Sequence, residues 1–398
     1  MTTTEPVRDW ENDYDIFDPT YVREPYPVWD DLRGCPVAHS DRWGGSWLPT
    51  RYEDVRAVAK DVEHFSSTEV SVTAVPPNTD VGIKAPPITS DPPEHQWARR
   101  LILPAFAPGR VDRYEPYTRE LCRELLDGFA HRGNVDAASE YAQQIPPRVI
   151  AHMLGIPPEM SDTFVEWVRG VLEIGLTDPE ARVHYRDKLV AFFRERVEER
   201  RAQPGDDLIS ELLAAEVDGQ PVPDNHIVGT CLLLLIAGID TTWSSIGSAL
   251  WHLATHPQDL ARLVDEPELL PTAVEELLRA YSPVTMARIV TEDCEFAGQQ
   301  LSAGDRVLLS FPAANRDPEM FEAADEIRID RQLNRHIAFG VGIHRCAGSN
   351  LARLEMRIAL EEWLARIPEF SLADGGETTW AGGQVRGPRA LPVVFPAS

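Results

Sequence analysis

The chain has 398 residues, 43% hydrophobic and 26% charged, a balance that excludes disorder, collagen-like repeats and a disulfide miniprotein. Its 38 basic side chains face 64 acidic ones, and the net charge of −26 repels phosphate backbones and anionic headgroups, so neither nucleic acid nor a membrane is an expected partner. Five cysteines, far apart and without CxxC spacing, indicate neither a zinc cluster nor a disulfide framework; with a polar, acidic stretch from Met1 to Asp15 in place of an apolar leader, a cytoplasmic location is expected.

In chain order, helical periodicity marks roughly 52–60, 93–107, 112–129, 137–154, 160–175, 180–203, 224–256, 267–281 and 346–366. Strand-like pieces are few and short, at Trp47-Leu48, Ala287 to Val290, Glu295 to Ala297 and Val307 to Leu309. The 33 prolines include the pairs Pro76-Pro77, Pro86-Pro87, Pro92-Pro93, Pro146-Pro147 and Pro157-Pro158, which punctuate helices. Between Phe65 and Pro93 no helical period survives, while Val70, Val72, Val75, Val81, Ile83 and Ile88 give the stretch an apolar lining. A loop of that length usually covers a ligand site. The apolar run Leu232 to Ile239 ends at Asp240, short of the ~20 residues that cross a bilayer, and reads as a buried helix. No repeat or linker divides the chain, so residues 1–398 are expected to form a single, mainly α domain, a large helical body with small β-sheets.

The most informative segment is Phe339-Gly340-Val341-Gly342-Ile343-His344-Arg345-Cys346-Ala347-Gly348, followed by an amphipathic run. A cysteine at a helix N-terminus gains thiolate character from unpaired amides, the helix dipole and neighbouring cations, here His344 and Arg345. A dinucleotide fingerprint would need Gly or Ala where Arg345 stands. Zinc would need further ligands at recognisable spacing. A Cys-His hydrolase remains open on chemistry, although His344, two residues from Cys346, is poorly placed for a general base held by a third group. A buried, inert cysteine is the remaining reading.

The segment resembles the signature of the cytochrome P-450 superfamily of haem-thiolate monooxygenases, Phe-Gly-x-Gly-x-x-x-Cys-x-Gly, at every fixed position. The resemblance implies a cytochrome P-450 fold, with haem b (iron protoporphyrin IX) between the long central helix and the cysteine-loop helix. Cys346 would be the axial thiolate to iron, with Phe339 shielding the sulfur and Gly340 and Gly348 completing the loop.

Three further motifs stand in the family's order. Ala237-Gly238-Ile239-Asp240-Thr241-Thr242 puts Gly and Asp inside a helix, against local preference. By resemblance, Ala237 and Gly238 leave room for dioxygen and substrate over the cofactor, and Asp240 and Thr241 relay protons in a locally opened helix groove; alone, the pair reads as local backbone hydrogen bonding. Glu276 and Arg279 lie at i and i+3, and the resemblance joins Arg331 to them as a buried structural triad. In Asp91-Pro92-Pro93-Glu94-His95-Gln96-Trp97-Ala98-Arg99, His95 and Arg99 share a helical face that suits a carboxylate; by resemblance these two, with Arg288 and His344, bind the haem propionates.

These motifs imply a monooxygenase that inserts one atom of dioxygen into a small or medium hydrophobic substrate. Its pocket is expected from Val72, Val75, Ile83, Ile88, Ile174, Ile236, Ile239, Val284, Met286 and Gln384, several of which could equally be core. Too few residues follow Cys346 for a reductase domain, so a separate ferredoxin fed by an NAD(P)H-dependent reductase is the expected electron donor to a monomeric enzyme. An acidic ferredoxin would need a local basic patch, for which Arg100, Arg110, Arg113, Arg345 and Arg353 are candidates, unless they pair with nearby glutamates. The competing functions are a non-catalytic haem sensor of the same fold and a thiol hydrolase.

Overall fold

Prolines decide where several helices begin. The computed structural model describes residues 6–35, 37–74 and 84–397. Its principal helices are α1 (Tyr52–Lys60), α2 (Glu94–Ile102), α3 (Glu115–Phe129), α4 (Ile145–Met153), α5 (Ser161–Leu172), α6 (Pro179–Ala202), α7 (Asp224–Thr255), α8 (Leu270–Ala280) and α9 (Ser349–Arg366). Pro146 and Pro147 open α4, Pro116 opens α3 and Pro271 opens α8, because a residue without an N–H loses nothing in the first turn. The expected helix 137–154 is accordingly divided: a π turn, Ala137–Tyr141, and a 3-10 turn, Ala142–Gln144, precede α4. The expected 93–107 stops at Ile102 and continues as a 3-10 turn through Pro104.

Among the described residues six further helices, Pro19–Arg23, Tyr26–Leu32, Pro108–Val111, Leu208–Ala214, Pro257–Asp265 and Phe311–Ala314, lie outside the expected set. All but Pro257–Asp265, which is as long as α1, span at most two turns, too few to display a period.

Helix α7 is apolar on nearly every side, with Leu235, Ile239, Ile246 and Leu250 fully buried, as befits a core helix. By length and composition it could cross a membrane, but most of it is buried inside the protein. It packs against α4, α6 and α9. At Gly229 a Cβ would lie 2.1 Å from the Lys84 carbonyl oxygen, so the missing side chain lets the chain at Lys84 run directly over α7.

Against this helical body stands a five-stranded sheet of β1 (Ala38–Ser40), β2 (Ser46–Leu48), β3 (Phe65–Ser66), β4 (Thr285–Val290) and β5 (Arg306–Ser310), in spatial order β1-β2-β5-β4-β3. Strands β4 and β5 are antiparallel, with Arg306 opposite Ile289 and Leu308 opposite Ala287. The expected strand at Glu295 to Ala297 belongs instead to a separate hairpin, Cys294–Phe296 with Gln299–Leu301, and Ala297 sits in its turn at φ 49°. A C-terminal hairpin, β6 (Thr379–Ala381) and β7 (Gly387–Ala390), returns to α7.

Candidate functional site

The cysteine loop is held by its own backbone. Cys346 N–H donates to the Phe339 carbonyl at 2.7 Å, and Gly340 and Gly342 take φ of 68° and 80°, a region open to glycine and strained for other residues. A Cβ on Gly342 would also meet the Ala59 carbonyl at 2.8 Å, so α1 closes the back of the loop. Helix α9 begins at Ser349 with Gly348 as its N-cap, which puts Cys346 just ahead of the helix. Cys346 is the only one of the five cysteines that is exposed. The surrounding protein still desolvates its thiol and pushes the pKa up, against the Gly348 N–H and the charges of Arg99, Arg345 and Arg353, which favour thiolate.

Beside the loop, four donors converge, and among the described residues no carboxylate hydrogen-bonds to any of them. His95 is buried, and neither ring nitrogen makes a hydrogen bond of normal geometry. The His95 and His344 rings meet edge to face, centroids 4.3 Å apart, and His344 Nε2 lies 2.9 Å from Ser67 Oγ. Arg288, 5% exposed, donates to its neighbour's carbonyl, Ala287 O, at 2.7 Å, and Arg99 donates to the Arg345 carbonyl. Burial lowers the Arg288 pKa to about 10, with Asp91 partly opposing. Asp91 itself is taken up by Ser66 Oγ and the Ser67 N–H. Burial, then the charges of Arg288, His95 and Arg99, press His344 down to about 2. A cluster of buried cations and donors that repel one another is the arrangement that carboxylates such as haem propionates would relieve.

On α7 the buried surface opens at one place: Ala237 is exposed and Ile236, Gly238 and Thr241 are half-buried. The helix is unbroken there, which corrects the expected opened groove. The Thr241 hydroxyl donates to the Ala237 carbonyl at 2.7 Å and Ser245 to the Thr241 carbonyl at 2.8 Å, so side-chain hydroxyls take the carbonyls that water would otherwise use. Gly238 has a different reason from the one expected: a Cβ there would lie 2.7 Å from Ile150 Cδ1, so it serves the packing of α4 on α7, while Ala237 keeps the open face small.

Asp240 is fully buried and bound to Arg389 of β7, with Nη2 to Oδ1 at 2.9 Å. Arg389 Nε also donates to Glu173 at 3.0 Å, and Arg169 grips Glu173 from α5. Burial raises the Asp240 pKa despite Arg389. Neither Arg389 nor Glu173 was expected from the sequence; the pairing spans 149 residues and leaves no local spacing to read.

Glu276, Arg279 and Arg331 form a buried triad, with contacts of 2.8 Å between the first two and 2.9 Å from Arg331 to Glu276. Arg279 also reaches the carbonyls of Asn315, Ala324 and Glu326. Its sequence neighbour Glu275, missed by the motif reading, binds His336 at 2.9 Å and Arg353 at 2.5 Å. The Arg353 guanidinium lies 4.4 Å from the centroid of the Phe339 ring. Arg353 is therefore a brace of the cysteine loop rather than an available surface charge, and Arg110 pairs with Glu211. Arg100, Arg113 and Arg345 remain exposed.

The expected pocket residues divide. Val284, Met286 and Gln384 come together: Val284 bridges to Val385, the Thr285 N–H donates to the Gln384 carbonyl, and Gln384 Nε2 lies 3.4 Å from Met286 Sδ. Ile236 borders the open face of α7, and Ile88 is half-buried. Val72 and Ile239 are core: Val72 packs with Ala287 and Leu308, and Ile239 points into the main cluster because the open face of α7 is only about one turn wide. Ile174 is exposed on the 3-10 turn after α5. Val75 and Ile83 lie outside the described residues.

Comparison with known proteins agrees with this geometry. The family model for cytochrome P-450 matches residues 148–374. The chain is 37% identical over 358 residues to mycinamicin IV hydroxylase/epoxidase of Micromonospora griseorubida, covering 88% of this chain and 89% of that one. It is 36% identical to vitamin D(3) 25-hydroxylase of Pseudonocardia autotrophica, covering 91% of each. Among solved structures, CYP109E1 from Bacillus megaterium in complex with testosterone superposes with a TM-score of 0.87 at 32% identity, over 95% of this chain and 99% of that one. The chain belongs to the cytochrome P-450 family, whose members here are haem-dependent monooxygenases.

Proposed function

We propose that this enzyme oxidises a small or medium hydrophobic substrate as a single catalytic unit, with electrons from a separate ferredoxin and an NAD(P)H-dependent reductase. The carrying observation is the convergence of His95, Arg99, Arg288 and His344, none of them hydrogen-bonded to a carboxylate among the described residues, beside the exposed thiol of Cys346. Those four would hold the haem propionates, and Cys346, aided by Arg99, Arg345 and the Gly348 N–H, would ligate the iron. Bound there, the haem supplies dioxygen activation.

The chain's own residues do the rest. Arg353 over Phe339, anchored by Glu275, keeps the ring beside the cysteine and limits water at the sulfur. Thr241 Oγ1 offers a hydroxyl at the open turn, and Asp240, its chain neighbour held by Arg389, would pass protons through Oδ1 or Oδ2. Met286, Val284 and Gln384 form one wall of the substrate space, apolar with a single amide. Relatives named for mycinamicin IV and vitamin D(3), and a neighbour holding testosterone, support an organic substrate.

Arg100, Arg113 and Arg345 form the docking charge for an acidic ferredoxin, in the cytoplasm and on a monomer. Reversing Arg100 and Arg113 together to Glu tests this. Ferredoxin-driven turnover falls and peroxide-driven turnover does not; equal loss in both assays rejects the docking role.

A further inference from the structure

Between helix α8 and the cysteine loop stands a polar clasp that closes on itself. Glu275 on α8 takes the Arg353 guanidinium of α9 at two points, Nε at 2.5 Å and Nη2 at 2.8 Å, which fixes the fork in one plane. His336 Nε2 lies 2.9 Å from the same carboxylate, and His336 Nδ1 accepts the Ala338 N–H at 3.2 Å. A ring nitrogen that accepts carries no proton, so Nε2 is the donor to Glu275. The residue after Ala338 is Phe339, whose ring centroid lies 4.4 Å from the Arg353 guanidinium and 6.2 Å from the His336 ring. The contacts thus run from the backbone at Ala338 through His336, Glu275 and Arg353 back to the Phe339 side chain.

Covering a phenyl ring needs only an apolar side chain. Here three polar groups hold a cation over it instead, and that cation acts on the sulfur: Arg353, with Arg99 and Arg345, favours the thiolate of Cys346. The loop transmits the placement, because the Cys346 N–H is bonded to the Phe339 carbonyl at 2.7 Å. Glu275 fixes the cation and also opposes it, since a carboxylate and a guanidinium act on the same sulfur with opposite signs.

We infer that Arg353, held over Phe339 by Glu275 and His336, is a positioning residue that raises the reduction potential of the haem bound at Cys346. Reduction adds an electron to a group that already carries an anionic sulfur ligand, and a cation fixed nearby stabilises the more negative state. Glu275, by its own charge, lowers the potential. The balance of the pair sets how readily the first electron is accepted from the donor. It rests on the monooxygenase reading and deepens it.

The test is a spectroelectrochemical titration of the haem-loaded, substrate-free protein, wild type beside Arg353→Met, Arg353→Lys and Glu275→Gln, with the carbon monoxide difference spectrum taken on each. Arg353→Met is expected to weaken reduction about tenfold, a downward shift of ~59 mV for one electron. Arg353→Lys keeps the charge and most of the potential. Glu275→Gln removes the opposing charge while its amide oxygen still accepts from Arg353, and the potential rises. Loosened packing would move Arg353→Met and Glu275→Gln in the same direction, so opposite signs are the electrostatic signature. An unchanged or higher potential in Arg353→Met, a shift in Arg353→Lys as large as in Arg353→Met, or an unchanged or lower potential in Glu275→Gln overturns the inference. Where Arg353→Met loses its thiolate-type band, the sign found for Glu275→Gln decides. A wild type that shows the thiolate-type band while these shifts are absent fails the inference alone; absence of that band fails the underlying function.

Discussion

Arg389 and Asp240 join the last hairpin of the chain to the middle of its central helix, Nη2 to Oδ1 at 2.9 Å and Nη2 to Oδ2 at 3.3 Å. Glu173 on the far side of the guanidinium makes the contact a bridge between α5, α7 and β7. A buried carboxylate in this position is stable as an anion only while the arginine is present.

Arg389→Met therefore destabilises the protein by about 3–5 kcal/mol in urea unfolding, the usual cost of leaving a buried charge without its partner. Adding Asp240→Asn to that variant recovers part of the loss. A double mutant no more stable than Arg389→Met would show that the arginine acts through Glu173 alone.

Glu275 gives a pH signature with a definite sign. His336 and Arg353 hold its pKa down to about 2 against burial. A carboxyl depressed in the folded state contributes stability that is complete above its unfolded value, near ~4.3, and is lost as pH falls toward the folded one. Between those limits Glu275→Gln has a flatter stability-against-pH curve than the wild type. Parallel curves in that window would contradict the assignment. Because Arg353 also covers Phe339, the same variant is expected to shift the Soret band.

Gly229→Ala places a methyl 2.1 Å from the Lys84 carbonyl oxygen, a backbone atom with no rotamer to change. The expected loss is about 1–3 kcal/mol, with faster protease cleavage near Lys84 as the segment lifts from α7. At Gly238 the obstacle is the flexible end of Ile150, so Gly238→Ala costs less and is rescued by Ile150→Val.

What the sequence made legible follows the range of each interaction. The periodic helices and their proline starts are local, and α1, α6 and α7 lie within a residue or so of their expected bounds. Strands of two or three residues, such as β1 and β3, have no period to detect. The i, i+3 rule singled out Glu276 with Arg279, but Glu275 faces another way and finds its partners far along the chain, at His336 and Arg353. Arg389 is hidden from any local rule. Gly238 shows the converse: a motif position can be noticed for one reason and required by the fold for another.

The measurement that tests the central claim most directly is the carbon monoxide difference spectrum of the dithionite-reduced protein, wild type beside Cys346→Ser. A red-shifted, thiolate-type Soret band in the wild type that disappears in the variant is the predicted result. A histidine-type band in the wild type, or a thiolate-type band that persists without Cys346, would contradict it.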